Sequence, residues 1–168
     1  MVKYLINLKS RPDRLFNSLA QIPDLIRFEA IEGGADGCRR SHQTIIKIAM
    51  KEKLPMVQVM EDDFQIIDNR LQEAINSLPK DFDILYLGGR PKKPLKRYND
   101  LLFHCEETVL THALVYSERV YHKILGASTP IDQWLRNTIQ RNRRCYFTDM
   151  VKQRADFSDI LGKQVPLK

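Results

Sequence analysis

An α/β fold, with a mixed and mostly parallel sheet flanked by helices, is the class the sequence predicts. Three observations carry it. Short apolar runs alternate with segments of helical period through the first half of the chain. The run at 55–64, PMVQVMEDDF, ends in three consecutive carboxylates, Glu61, Asp62 and Asp63. A buried strand that delivers acids at its C-terminal edge is where open α/β sheets place ligands. From 101 to 116 strands dominate, which adds an antiparallel part to the sheet.

In order, Tyr4-Leu5-Ile6-Asn7-Leu8 reads as a first strand. The polar turn Ser10-Arg11-Pro12-Asp13-Arg14 opens a helix, with Ser10 as cap and Pro12 in the first turn. Leu15, Leu19 and Ile22 recur near helical spacing until Pro23, and 26–31 alternates as a second strand before Gly33-Gly34. Segment 38–53 gathers His42, Ile45, Ile46, Ala49 and Met50 on one face of a helix that stops at Pro55. After the acidic strand, 69–78 is a second amphipathic helix and 83–89 a buried strand opening into Gly88-Gly89, where backbone can approach a ligand closely. The stretch 90–98, with two prolines and no period, reads as a surface loop, and 101–104 and 111–116 as strands. A helix opens at Ser117 and runs to Gly126; another starts with Thr129 as cap and Pro130 at its first position. Cys145-Tyr146-Phe147 is a last short strand, and 151–168 a polar tail that Phe157 and Ile160 could anchor.

The 168 residues suit a single domain, 1–168, burying on the order of 70 % of its unfolded surface. No apolar run approaches the roughly 18 residues that span a bilayer, and the N-terminus lacks signal-peptide anatomy. Cys38, Cys105 and Cys145 form no C-x-x-C pair, so neither a disulfide framework nor a zinc knuckle is signalled; a reducing cytoplasm is expected. The net charge of +6 is concentrated at 90–97 and 136–144. Such clusters favour anionic partners, from nucleotide diphosphates and acidic glycans to lipid headgroups at a membrane surface and nucleic acid, or serve only as solvated faces.

Glu61 and Asp63 are expected on one side of the strand end and Asp62 on the other. One pair could hold Mg²⁺ or Mn²⁺ through its carboxylates, and the remaining acid could reach a sugar hydroxyl; a solvated acidic turn is the structural alternative. The turn at Arg11 and Arg14 and the helix entry Gly37-Cys38-Arg39-Arg40-Ser41-His42 both set donors near a helix N-terminus suited to phosphate, although the P-loop and G-x-G-x-x-G patterns are absent. His42, taken by itself, reads first as a satisfied core residue. Asp132, beside the lone Trp134, can serve the helix dipole or act as a general base.

Taken in order, these motifs resemble glycosyltransferase family 25, the lipooligosaccharide and procollagen galactosyltransferase group. The elements are Ile6-Asn7-Leu8 with Arg11, Asp13 and Arg14; Gly37-Cys38 with Ser41-His42; Val57 to Asp63; Asp83-Ile84-Leu85-Tyr86-Leu87-Gly88; then Thr111 to Ser117, Pro130-Ile131-Asp132 with Leu135, and Phe157-Ser158-Asp159-Ile160. They span nearly the whole chain. The resemblance implies a GT-A fold, which is Rossmann-like, a UDP-sugar donor, Mn²⁺ or Mg²⁺ at the acidic element, and an inverting hexosyl transfer of galactose or glucose. The acceptor would be a glycan, lipid-linked glycan, protein or other anionic polymer, modified nucleic acid included. It further implies Glu61 and Asp63 as metal ligands, Asn7, Arg11, Arg14, Ser41, His42, Asp62 and Gly88 as donor-binding residues, and Asp132 as catalytic base. The chain departs from the family pattern before Gly37, where Ala35-Asp36 stand in place of a Glu, and around Ala113-Leu114-Val115-Tyr116. A basic nucleic-acid-binding module and an inactive transferase-fold scaffold are the competing classes.

Overall fold

The computed structural model describes residues 1–140, 144–154, 156–158 and 163–165. The order of elements is β1 (Val2–Asn7), α1 (Pro12–Gln21), β2 (Ile26–Glu29), α2 (Gly34–Lys51), β3 (Met56–Glu61), β4 (Phe64–Ile66), α3 (Leu71–Asn76) and β5 (Ile84–Tyr86). Then come β6 (Arg90–Pro91), β7 (Lys96–Arg97), β8 (Phe103–His104), β9 (Thr108–Val109), β10 (Ala113–Ser117), a 3₁₀ turn (Glu118–Val120), α4 (Tyr121–Leu125), α5 (Ile131–Thr138), β11 (Cys145–Phe147), β12 (Val151–Gln153), β13 (Asp156–Ser158) and β14 (Lys163–Val165).

Eight of these strands form one sheet in the order β2-β1-β3-β10-β5-β11-β8-β7. β1 pairs in parallel with both β2 and β3, and β5 with β11, whereas β10 and β8 run against their neighbours. The expected antiparallel addition is therefore inserted in the sheet, with β10 between β3 and β5. Because strand side chains alternate in direction, the central strands feed two cores. Tyr4, Ile6, Val57, Val59, Ile84, Tyr86, Leu114 and Tyr116 face one way, against Ile45, Ile46 and Ala49 of α2, Tyr121 and Ile124 of α4, and Ile131 and Leu135 of α5. Leu5, Met60, Leu85, Ala113 and Val115 face the other, against Ala74 and Ile75 of α3 and the α1 side chains Leu15 and Leu19. Burial on both faces is why β3 reads as an apolar run, interrupted by the buried Gln58.

Several expectations shift. Arg11, not Ser10, precedes α1, with Pro12 in the first turn as expected; no side chain caps that helix. α2 begins four residues before the expected Cys38, and α3 is shorter than 69–78. Pro130 is the cap of α5, so Thr129 lies outside it. The 90–98 loop contains β6, paired with β9, and β7, which adds an edge to the main sheet; Pro91 is tolerated on such a short edge strand. The largest departure is in the tail. Val151–Gln153 forms a strand on β4, with Gln153 opposite Phe64 and Val151 opposite Ile66. β13 and β14 pair as a further antiparallel ladder. Asp159 and Ile160 of the last resemblance element, and 141–143 of the second basic cluster, lie outside the described residues.

Gly88 shows what holds this closure. A Cβ added there would lie 1.7 Å from the Val151 carbonyl oxygen and 2.8 Å from His112 Nε2. The close backbone approach expected at this glycine is made by β12. Substitution with alanine must displace backbone, so Gly88→Ala is expected to cost about 1–3 kcal/mol in a denaturant titration; wild-type stability would contradict this packing.

Candidate functional site

The C-terminal ends of β1 and β3, the start of α2 and the 30–34 loop enclose a cavity of about 310 Å³. Ile6, Leu8, Ala30 and Ile31 supply apolar wall, while Arg14, Ser41, Glu61, Asp62, Asp63 and Gln153 supply polar groups. The volume lies at the lower end of the range for small-molecule sites. The loop is held against α2 by two devices. Ser41, fully buried, donates to the Gly37 carbonyl and accepts the Ile31 N–H, each at 2.9 Å. Gly37 lets the chain pass so closely that an added Cβ would sit 2.1 Å from the Ile31 carbonyl oxygen.

The three acids part company at the strand end. Asp62 turns to the α1 side, where its carboxylate accepts from Asn7 Nδ2 at 2.8 Å and Arg14 Nη1 at 3.0 Å. Asn7 also donates to the Arg11 carbonyl at 2.9 Å and accepts from Arg27 Nε at 3.0 Å, so it ties β1, β2 and the turn into α1 to Asp62. Burial outweighs these partners and leaves the Asp62 carboxyl above its ordinary value.

Glu61 turns the other way, toward α2. Its Oε1 accepts from Thr111 Oγ1 at 2.6 Å and lies 3.6 Å from His42 Nε2 and 3.7 Å from Cys38 Sγ. Burial raises the Glu61 carboxyl, but His42 and Thr111 outweigh it, and the net displacement is downward. His42 is wholly buried; its Nδ1 meets the Tyr116 hydroxyl at 3.0 Å, while Nε2 has no hydrogen-bond partner. Burial pushes the Cys38 thiol well up, with Glu61 and Asp132 adding repulsion, which argues against a thiolate nucleophile.

Asp63 lies beyond the end of β3, so the pleat does not aim it; the turn into β4 does. Its Oδ2 accepts from Gln153 Nε2 at 2.7 Å, its carbonyl accepts the Arg154 N–H at 2.7 Å, and Oδ1 is buried with no partner. Burial, then repulsion from Glu61, pushes its carboxyl up to about 7. An orphaned carboxylate oxygen beside two further acids is a donor set that fits a hard divalent cation, which would remove both the orphan and the repulsion.

Of the residues named from sequence, the cavity wall brings together Arg14, Ser41, Glu61, Asp62 and Asp63. Asn7, Arg11, His42, Gly88 and Asp132 lie outside that wall. Asn7 and His42 stand behind it, bracing Asp62 and flanking Glu61. Arg11 pairs with the more exposed Asp13, at 3.1 Å. Asp132, half-buried in the first turn of α5, accepts the Gln133 N–H at 2.8 Å through Oδ1, the contact expected of a dipole-serving acid, and is near enough to Cys38 to act on its thiol.

No family model matches the chain, and no curated protein matches it. Solved structures do. A197 from STIV superposes with a TM-score of 0.60 over 99 % of this chain and 94 % of its own, at 12 % identity. Mannose-1-phosphate geranyltransferase from Thermus thermophilus has a TM-score of 0.48 at 10 % identity, covering 98 % of this chain and 60 % of that one. UDP-glucose pyrophosphorylase complexed with UDP-glucose has 0.45 at 8 %, covering 86 % and 66 %. The likeness to A197 shows the fold alone; the other two overlap too loosely to carry an argument about chemistry.

Sequence reasoning missed Thr111 as a Glu61 ligand, Gln153 as the Asp63 partner, and Cys38. Gln153 gave no local signal, since only tertiary pairing brings the tail to β4. Cys38 did give one: it stands four residues before His42, so both project from one helix face.

Two outcomes test this electrostatic arrangement. Arg14→Met leaves the buried Asp62 carboxylate with Asn7 alone and is expected to cost about 3–5 kcal/mol by urea unfolding; a loss below about 1 kcal/mol would show that the pair is solvated. Asp63 binds its proton more tightly in the folded than in the unfolded chain, so its contribution to stability falls as pH rises from about 4 to about 7, by at most about 1.4 kcal/mol per pH unit. In EDTA, Asp63→Asn is therefore expected to gain stability over wild type on moving from about pH 5 to about pH 8. A difference that does not change with pH would refute this burial of the charge.

Proposed function

We propose that the chain is a metal-dependent glycosyltransferase that moves a hexose from a UDP-sugar to an acceptor hydroxyl. The observation that carries this reading is the orphaned, buried Asp63 oxygen at the wall of a cavity bounded by the C-terminal ends of β1 and β3. Ligands of open α/β sheets bind at that edge.

Asp63, with Glu61 through the oxygen not engaged by Thr111, His42 and Cys38, would hold Mn²⁺ or Mg²⁺. When bound, the ion supplies charge stabilisation to the departing diphosphate. The chain's own groups do the rest. The apolar wall at Ile6, Leu8, Ala30 and Ile31 excludes water from the nucleoside. Arg14 offers positive charge at the same wall while anchoring Asp62, and the rigid Asn7–Asp62–Arg14 lattice fixes the strand end so that reacting groups are held in line. Asp132 is the proposed base, taking the proton of the acceptor hydroxyl as that oxygen attacks the anomeric carbon and the diphosphate leaves. The acceptor is a glycan, lipid-linked glycan or other anionic polymer.

The nucleic-acid-module alternative loses support from the 90–97 cluster. Lys93 is paired with Glu107 at 2.8 Å and Glu106 at 3.6 Å, and Arg97 with Asp100, so acids on the same surface offset part of that charge. Among the described residues no helix is long and apolar enough to cross a membrane.

Thermal unfolding with UDP-, GDP- and CMP-sugars, with and without Mn²⁺, tests the proposal. One UDP-sugar is expected to raise the Tm only when Mn²⁺ is present, and Asp63→Ala to abolish that shift. No response to any donor would sink the reading. Asp132→Asn is expected to keep the donor shift and slow transfer by about 10²–10⁴-fold; transfer near the wild-type rate would remove Asp132 from the mechanism.

A further inference from the structure

Cys38, His42 and Glu61 each bring one metal-ligating side-chain atom to within 4.8 Å of the other two. The two contacts to Glu61 Oε1 are 3.6 Å from His42 Nε2 and 3.7 Å from Cys38 Sγ. In a tetrahedral zinc site with Zn–N and Zn–O near 2.0–2.1 Å and Zn–S near 2.3 Å, neighbouring donor atoms stand roughly 3.3–3.8 Å apart. Both distances to Glu61 fall in that range; Cys38 Sγ donates to Glu61 Oε1, while the His42–Glu61 contact is too long for a hydrogen bond.

A second observation points the same way. His42 is fully buried, its Nε2 has no hydrogen-bond partner, and that nitrogen faces Glu61. Buried polar nitrogens are rarely left so; His104 Nδ1 and His112 Nδ1 share this state, and what marks His42 Nε2 is the carboxylate oxygen and thiol set beside it. The other ring nitrogen is fixed by the Tyr116 hydroxyl at 3.0 Å, the kind of outer contact that sets the tautomer and orientation of a metal-binding histidine. Thr111 Oγ1 donates to Glu61 Oε1 at 2.6 Å and fixes the third ligand in turn.

We infer that Cys38, His42 and Glu61 form a binding site for a borderline-soft divalent cation, Zn²⁺ in the first instance, with its fourth position open to the cavity. Cys38 and Glu61 both line that cavity, so solvent supplies the fourth ligand. On binding, Cys38 gives up its thiol proton to solvent and coordinates as thiolate. This site differs in kind from the one proposed at Asp63. Sulfur and imidazole select Zn²⁺ or Co²⁺, whereas carboxylate and diphosphate oxygens select Mg²⁺ or Mn²⁺. Glu61 stands between the two, one oxygen toward each. The inference does not depend on the chain being a glycosyltransferase.

Titration of the metal-free protein with Co²⁺ reads the site directly. Wild type is expected to bind one equivalent with a thiolate-to-Co²⁺ charge-transfer band in the near ultraviolet, and Zn²⁺ to bleach it. Cys38→Ser should lose the band and bind Zn²⁺ at least tenfold more weakly against a chromophoric chelator, with Glu61→Gln weakening Zn²⁺ while keeping the band. Asp63→Asn should keep both band and affinity although it loses the Mn²⁺-linked donor shift, which separates this site from the donor site. Absence of the band in wild type, or its persistence in Cys38→Ser through the buried Cys105 or Cys145, would overturn the assignment.

Discussion

The contact on which the rest of the site depends is the buried pair of Asp62 and Arg14, completed by Asn7. It joins the ends of two adjacent parallel strands, β1 and β3, to the first turn of the helix that follows β1. A buried ion pair contributes little net stability compared with an apolar substitute, but it tolerates few alternative geometries. Here it pins the end of β3, so that Glu61 leaves toward α2 and Asp63 is carried round the turn. Without that pin three adjacent carboxylates could relax into solvent as an ordinary acidic turn.

The sheet converts the same alternation into a division of labour. Along β3, Val57 and Val59 face α2 and Met60 faces the α1 side; Glu61 continues the first series and Asp62 the second. The polar end of the strand inherits its directions from the apolar part. Packing that buries Ile45 and Ile46 of α2 against Val57 and Val59 therefore also delivers Cys38 and His42, from earlier turns of that helix, to Glu61. The core and the site are positioned by one period-2 strand meeting one period-3.6 helix.

This is also why so much of the arrangement was legible in the sequence. The opposed directions of Glu61 and Asp62, the α/β alternation and the helix face carrying His42 and the isoleucines all follow from local periodicity. Asp63 was expected beside Glu61 on the same face, and its place instead depends on where β3 stops, which is a hydrogen-bonding outcome and not a pattern. A glycine records only that something comes close, and at Gly88 it is β12 that does. Val151 and Gln153 carry no periodic signal over three residues, and their strand exists because β4 offers an edge. Helix caps at Ser10 and Thr129 failed for a similar reason: with Pro12 and Pro130 fixing φ nearby, the chain enters each helix without a side-chain cap.

Burying Asp63 is the step that the fold does not require. Among the described residues other buried polar atoms also lack hydrogen-bond partners, Asp83 Oδ2 among them, but a polar or apolar residue after Asp62 would have served the turn equally well. Instead β12 crosses to β4, Gln153 satisfies one carboxylate oxygen, and the other is left buried and bare, with two more acids nearby to raise the cost. A local violation of this kind, held in place by a strand that would otherwise be free to leave, is the form that a site takes when its missing partner is a ligand and not a residue. The missing charge is positive, the donors are oxygens and the space beside them is a cavity. Those three properties are the ones that the divalent cation and oxygen-rich anion of the proposed function would satisfy, whereas the phosphates of a nucleic-acid backbone alone would be repelled by these carboxylates.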